Sequence, residues 1–84
     1  MKKILVLGAT GSIGTSTLDI LRNQKDRFVC AGITANSKKD ELEKLWREFA
    51  CPASLTSTDG IDGIKNLIEK TKPDIVVNGI AGSA

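Results

Sequence analysis

Histidine and tyrosine are absent from this 84-residue chain, which has only two cysteines, one tryptophan and two phenylalanines. Without histidine it has no imidazole base and no Cys/His zinc spacing, so His-dependent catalysis and a structural zinc are excluded within it. Cys30 and Cys51 lie far apart in sequence and are expected to be free, structural thiols, in keeping with the buried habit of unpaired cysteine. Long apolar runs are also missing: Ile4 to Leu7 and Ile75 to Val77 fall far short of the roughly 20 residues that cross a bilayer. Charge of one sign does not dominate. The net charge of +2 is spread over interspersed acids and bases, which argues against a nucleic-acid surface and leaves Lys2 and Lys3 as solvated residues.

What is present describes an ordinary soluble domain, with 40% hydrophobic and 26% charged residues. A chain this short forms at most one domain and has little core to spare. The N-terminus runs straight into a strand pattern with no apolar signal segment, so a cytoplasmic location is expected.

Lys3 to Leu7 is a short, branched, apolar run before a glycine-rich turn, the pattern of a strand covered on both faces. Beyond the turn, Ile13, Thr17, Ile20 and Leu21 recur at helical spacing and predict one buried face of a helix ending near Asn23. Phe28 to Thr34 reads as a second strand. Leu42, Leu45, Trp46 and Phe49 predict the core face of a helix over residues 38–50, with Ser37 and Asp40 as a weak capping box. Pro52 stops it, Ala53 to Thr56 is a candidate strand, and Ile61, Ile64, Leu67 and Ile68 repeat the helical period after Asp59-Gly60. Asp74 to Asn78 is a last strand, again apolar on both faces. About four strands alternating with about three helices imply an α/β fold: the first half of a Rossmann-like, doubly wound parallel sheet with right-handed crossovers. An apolar strand at a sheet edge is an aggregation hazard, so residues 1–84 are expected to be an incomplete N-terminal domain of a longer protein.

The segment Gly8-Ala9-Thr10-Gly11-Ser12-Ile13-Gly14 lies between a strand and a helix, the context a dinucleotide-binding turn requires. Gly8 suits a tight turn, Gly11 a close approach of backbone to pyrophosphate, and Gly14 close packing of helix on strand. The helix N-terminus then offers unpaired N–H groups to an anion, with the Thr10 and Ser12 hydroxyls beside it. An ordinary glycine-rich turn is the plainer alternative. An NAD site places an acidic residue about 20 residues past the glycines to bind the ribose 2′-hydroxyl. This chain has Thr34-Ala35-Asn36-Ser37-Lys38-Lys39 there instead, amide, hydroxyl and ammonium groups that match a 2′-phosphate and predict NADPH. Simple capping of the next helix by Asn36 and Ser37 is compatible with that role. Asp59, Asp62 and Asp74 lack the spacing of a calcium loop, and no metal is assigned to them. Asn78 to Ser83 follows the last strand at the sheet's ligand-binding end, where small residues permit approach of a nicotinamide ribose, although a plain loop has the same composition.

The run Gly8-Ala9-Thr10-Gly11-Ser12-Ile13-Gly14-Thr15-Ser16-Thr17-Leu18-Asp19 resembles the N-terminal signature of the 1-deoxy-D-xylulose 5-phosphate reductoisomerase family. Asp74-Ile75-Val76-Val77-Asn78-Gly79-Ile80-Ala81-Gly82-Ser83-Ala84 resembles that family's fourth strand and following loop, so the two matches bracket the chain. The resemblance implies that Thr10, Gly11, Ser12 and Ile13 contact NADPH, while Asn36, Ser37 and Lys38 form the 2′-phosphate loop. It further implies, for the full-length protein, a divalent metal (Mg or Mn), a sugar-phosphate substrate, a homodimer and a place in isoprenoid biosynthesis by the methylerythritol phosphate route. Two departures stand out: the family reads Gly-Lys-Asn or Gly-Ser-Asn at Asn36-Ser37-Lys38, and the stretch between Phe49 and Asp59 is shorter than usual. By the same resemblance the acidic metal ligands and catalytic loop lie beyond Ala84, so no catalytic or metal-binding residue is assigned and the chain alone is expected to be inactive.

Two alternatives remain at this point. One is the N-terminal domain of a semialdehyde dehydrogenase, which opens on the same glycine spacing and needs a downstream catalytic cysteine. The other is a stand-alone NADPH-sensing module without catalysis. A short-chain dehydrogenase requires a Tyr and Lys pair that this tyrosine-free chain lacks.

Overall fold

The computed structural model describes residues 1–36 and 38–79. Its elements follow the order β1 (Lys2–Leu7), α1 (Ser12–Asn23), β2 (Phe28–Ala35), α2 (Lys39–Phe49), β3 (Ala53–Leu55), α3 (Thr56–Thr71) and β4 (Ile75–Asn78). All strand pairings are parallel, and the sheet order is β3-β2-β1-β4. That order starts from a central β1 and steps outward both ways, as the first four strands of a doubly wound sheet do. The turn after β1 therefore lies where the winding reverses.

Side-chain alternation along β1 sorts the core into two layers. Ile4 and Val6 pack with Leu18 and Leu21 of α1 and Leu42 of α2, whereas Leu5 and Leu7 pack with Leu67 of α3. On β2 the register slips between the partners of Ile4 and Leu5, from Cys30 to Gly32, passing over Ala31. This bulge changes the parity of the strand, so that Cys30, Ile33 and Ala35 all join the α1/α2 layer. Gly32 makes room on the other face: a Cβ there would stand 2.5 Å from Leu67 Cδ2.

Helix α1 has the expected limits, and Leu21 is buried as expected, but the rest of its buried face differs. Gly14, Leu18 and Leu21 are buried, while Ile13 and Ile20 are 59% and 50% exposed. The backbone at Gly14 sets the rotation, because a Cβ at that position would lie 2.1 Å from the Gly8 carbonyl oxygen and 2.7 Å from Ala9 Cα. Only glycine can face the turn so closely, and the apolar side chains follow from that. In α2, Leu42 is buried and Leu45 and Phe49 pack against the core as expected. Trp46 does not: it is 40% exposed, with the Arg47 guanidinium 5.7 Å from its ring centroid. Its position next to Leu45 turns it off the narrow buried stripe that a helix lying on a sheet presents. The residue before the helix, Lys38, makes no side-chain cap, and the expected cap residue Ser37 lies outside the described residues.

Helix α2 ends on Ala50 in the left-handed region (φ 51°), before Pro52. Thr56, expected to close the third strand, instead starts α3, and Gly60 (φ 63°, ψ −156°) interrupts that helix ahead of the long run through Leu67. Within the run Ile64 and Leu67 face the sheet, but Ile61 and Ile68 are exposed. Asp74 ties the start of β4 to β1, its Oδ2 accepting from the Lys3 N–H at 2.8 Å and its own N–H donating to the Lys3 carbonyl at 2.8 Å. No described helix is long and apolar enough to cross a membrane.

Candidate nucleotide site

The β1–α1 turn is built almost wholly from backbone. Gly8 takes a positive φ of 74°, turning the chain back so that the Gly11 N–H reaches the Gly8 carbonyl at 3.1 Å. Thr34, fully buried near the end of β2, holds the turn from below: its hydroxyl accepts from the Gly8 N–H at 3.1 Å, and its carbonyl accepts from the Ala9 N–H at 2.7 Å. Gly79 closes in from β4, its N–H donating to the Leu7 carbonyl at 2.7 Å. A Cβ on Gly79 would sit 2.9 Å from the Gly14 nitrogen, and one on Gly11 would sit 3.3 Å from the Gly79 carbonyl. The turn, the start of α1 and the end of β4 can approach this closely because these positions carry no side chain.

Gly11, the residue before helix α1, provides no side-chain cap, and the first turn of the helix carries no acidic residue. Its N-terminal N–H groups and partial positive charge thus face the site without an internal counter-charge. A cleft of about 430 Å³ joins Thr10 and Gly11 of the turn with Asn36 and Lys38 of the β2–α2 loop, and with Thr56 at the start of α3. No carboxylate is among its described lining residues. The Thr56 hydroxyl lies 3.3 Å from both the Ala35 carbonyl and Asn36 Oδ1, donating toward each, which fixes the base of the loop.

The fold therefore brings Thr10, Gly11, Asn36 and Lys38 together, four of the residues anticipated from sequence. Ser12 and Ile13 do not line the cleft; they form the exposed start of α1 beside it. Ser37 and residues 80–84, including most of the anticipated nicotinamide loop, lie outside the described residues. Sequence reasoning missed the work of Thr34, which was grouped with possible 2′-phosphate donors but supports the turn instead. It also passed over Thr56, whose only signal is a hydroxyl at the end of a short strand. A second cavity of about 340 Å³ between α1 and α2 is floored by Leu18 and Leu45 and rimmed by Arg22, Lys44 and Glu48.

A parallel 3-2-1-4 sheet with an uncapped, glycine-tightened helix start at its winding reversal defines the opening half of a Rossmann-type domain. Residues 4–59 match the family model described as 1-deoxy-D-xylulose 5-phosphate reductoisomerase. The chain belongs to the 1-deoxy-D-xylulose 5-phosphate reductoisomerase family. It is 42% identical over 93 residues to the 1-deoxy-D-xylulose 5-phosphate reductoisomerase of Treponema denticola, a match covering 99% of this chain and 24% of that protein. Among solved structures it resembles the Zymomonas mobilis reductoisomerase in complex with NADPH, with a TM-score of 0.64 and 27% identity over 92% of this chain and 21% of that one. It also resembles a reductoisomerase in complex with NADPH, fosmidomycin and magnesium, with a TM-score of 0.61 and 31% identity over 94% of this chain and 20% of that one. The chain spans about a quarter of the length of the curated relatives it matches.

Proposed function

We propose that residues 1–84 are the NADPH-binding part of a 1-deoxy-D-xylulose 5-phosphate reductoisomerase, which converts its substrate to 2-C-methyl-D-erythritol 4-phosphate in isoprenoid biosynthesis. The observation that carries this reading is the cleft itself, in which the uncapped start of α1 and the Asn36/Lys38 loop converge with no carboxylate among the described lining residues. Such a surface suits two anions: a pyrophosphate at the helix N-terminus and a 2′-phosphate at Lys38, where an Asp or Glu would instead select NADH. When bound, NADPH supplies a hydride. The chain's own residues do the binding: Gly11 admits the phosphates, Thr10 and Ser12 offer hydroxyls, Ile13 an exposed apolar contact, and Asn36, Ser37 and Lys38 the adenosine end. The relatives' NADPH and magnesium complexes favour this reading over a semialdehyde dehydrogenase or a stand-alone NADPH sensor.

The divalent metal, the sugar-phosphate site and the catalytic loop are assigned to the rest of the full-length enzyme, which we take to be a cytoplasmic homodimer. Titration calorimetry with NADPH and NADH tests the cofactor reading. Binding of NADPH at least about 10-fold tighter is expected from one charge-assisted hydrogen bond to the 2′-phosphate. Equal affinities would remove it.

A further inference from the structure

Cys30 and Cys51 take no part in the cleft or in the function proposed for it. Cys30 lies on β2 at the bulge, and Cys51 in the irregular link between α2 and β3; both are buried, unbonded thiols. Their Sγ atoms are 3.5 Å apart, and Cys30 Sγ also lies 3.7 Å from the Gly32 carbonyl. We infer that this pair is an oxidative modification site, at which hydrogen peroxide converts the two thiols into an intramolecular Cys30–Cys51 disulfide.

Contact between the sulfurs already leaves an approach of only about 1.5 Å to a bond of about 2.05 Å. That movement falls on the link at Cys51, whose N–H donates to the Trp46 carbonyl at 3.3 Å and which lies outside β3, one residue before the Pro52 carbonyl that accepts from the Ile33 N–H at 3.0 Å. Burial selects a small oxidant over a bulky disulfide such as oxidised glutathione. The Cys51 thiol is held above its ordinary range by its contact with Cys30 and by burial, whereas the same contact lowers Cys30, which makes Cys30 the first nucleophile. Its thiolate sulfur attacks one peroxide oxygen; the O–O bond breaks and the departing hydroxide takes up a proton as water, leaving a sulfenic acid. The Cys51 sulfur then displaces that oxygen as a second water, forming the S–S bond. Two thiols and one peroxide thus give one disulfide and two waters. The bond closes a ring that contains Asn36, Lys38 and all of α2, tethering the cleft loop through the core.

The test is peroxide treatment of the purified full chain, followed by intact mass, peptide mapping and thiol counting after denaturation. The expected product is two hydrogens lighter, has lost both thiols together, and yields a peptide cross-linked through Cys30 and Cys51. Its Tm should rise on the order of 10 °C, as closure of a loop of this length implies, and return on reduction with dithiothreitol. Cys51→Ala should instead gain one or more oxygens at Cys30. Should the wild-type chain keep both thiols, gain oxygen without a cross-link, or link only between molecules, the inference is overturned.

Discussion

Gly14, Thr34 and Lys38 carry three different kinds of constraint. Gly14 is steric: adding one methyl group sets carbon against the Gly8 carbonyl at 2.1 Å, and both partners are backbone. Gly14→Ala should therefore destabilise the fold by about 3 kcal/mol, at the upper end of overpacking costs, measured as a lower urea midpoint. Thr34 is polar. Thr34→Val keeps its shape but deprives the Gly8 N–H of its acceptor, an expected loss of about 1–3 kcal/mol in the same measurement. Lys38 is electrostatic and exposed at the cleft, so Lys38→Ala should leave stability within about 0.5 kcal/mol. Its effect should fall on NADPH affinity, about 10-fold weaker by calorimetry, with NADH affinity unchanged. The glycine pattern made Gly14 legible in sequence; Thr34 was not, because a threonine inside an apolar strand looks like any β-branched residue until its partner is known.

Between elements, Arg22 of α1 makes an ionic contact with α2. Arg22 binds Glu48 through both Nε and Nη2, the latter at 2.9 Å, reaches Asp19 at 2.6 Å, and lies 5.3 Å from the Phe49 ring centroid. Hydrogen bonding from Arg22 holds the Glu48 carboxyl below its ordinary value. A depressed carboxyl stabilises the fold above its unfolded pKa of about 4.3, and that contribution fades as pH falls through the lower folded value. Both side chains are substantially exposed, so Glu48→Gln should cost less than about 1 kcal/mol near neutral pH and nothing in strong acid, as a pH series of melting curves would show. The helix end offers a stabilising change: Ala50 sits at φ 51°, and Ala50→Gly should raise stability by about 0.5–1 kcal/mol by removing the left-handed strain. Helix limits and most of the core-facing positions of α2 and α3 were visible in the periodicity, but the facing of α1 was only partly so. Ile13 and Ile20 compete on paper with Gly14 and Leu18, and a hydrophobicity pattern weighs glycine least although its backbone contact decides the rotation.

For the molecule as a whole, the telling surface surrounds β4. Ile75 and Val76 on that edge strand are exposed, and Ile13 and Ile20 of α1, which packs against it, are exposed as well. Apolar residues around an unpaired parallel edge are what further strands and helices of a doubly wound sheet would cover. The isolated chain should accordingly show no NADPH oxidation with sugar phosphate and metal, while NADPH at about 100 times its Kd should still stabilise it by about 2.7 kcal/mol in a thermal shift assay. Sequence by itself determined the alternation of strands and helices, the glycine turn and the lack of an acidic residue at the end of β2 and in the loop directly after it, because each is written in local composition and short-range periodicity. Tertiary structure alone decided the β3-β2-β1-β4 order, the face that α1 buries, the support of the turn by Thr34 and the meeting of Cys30 with Cys51. Those depend on contacts between residues far apart in the chain, where packing and backbone clearance select among arrangements that local pattern leaves equal.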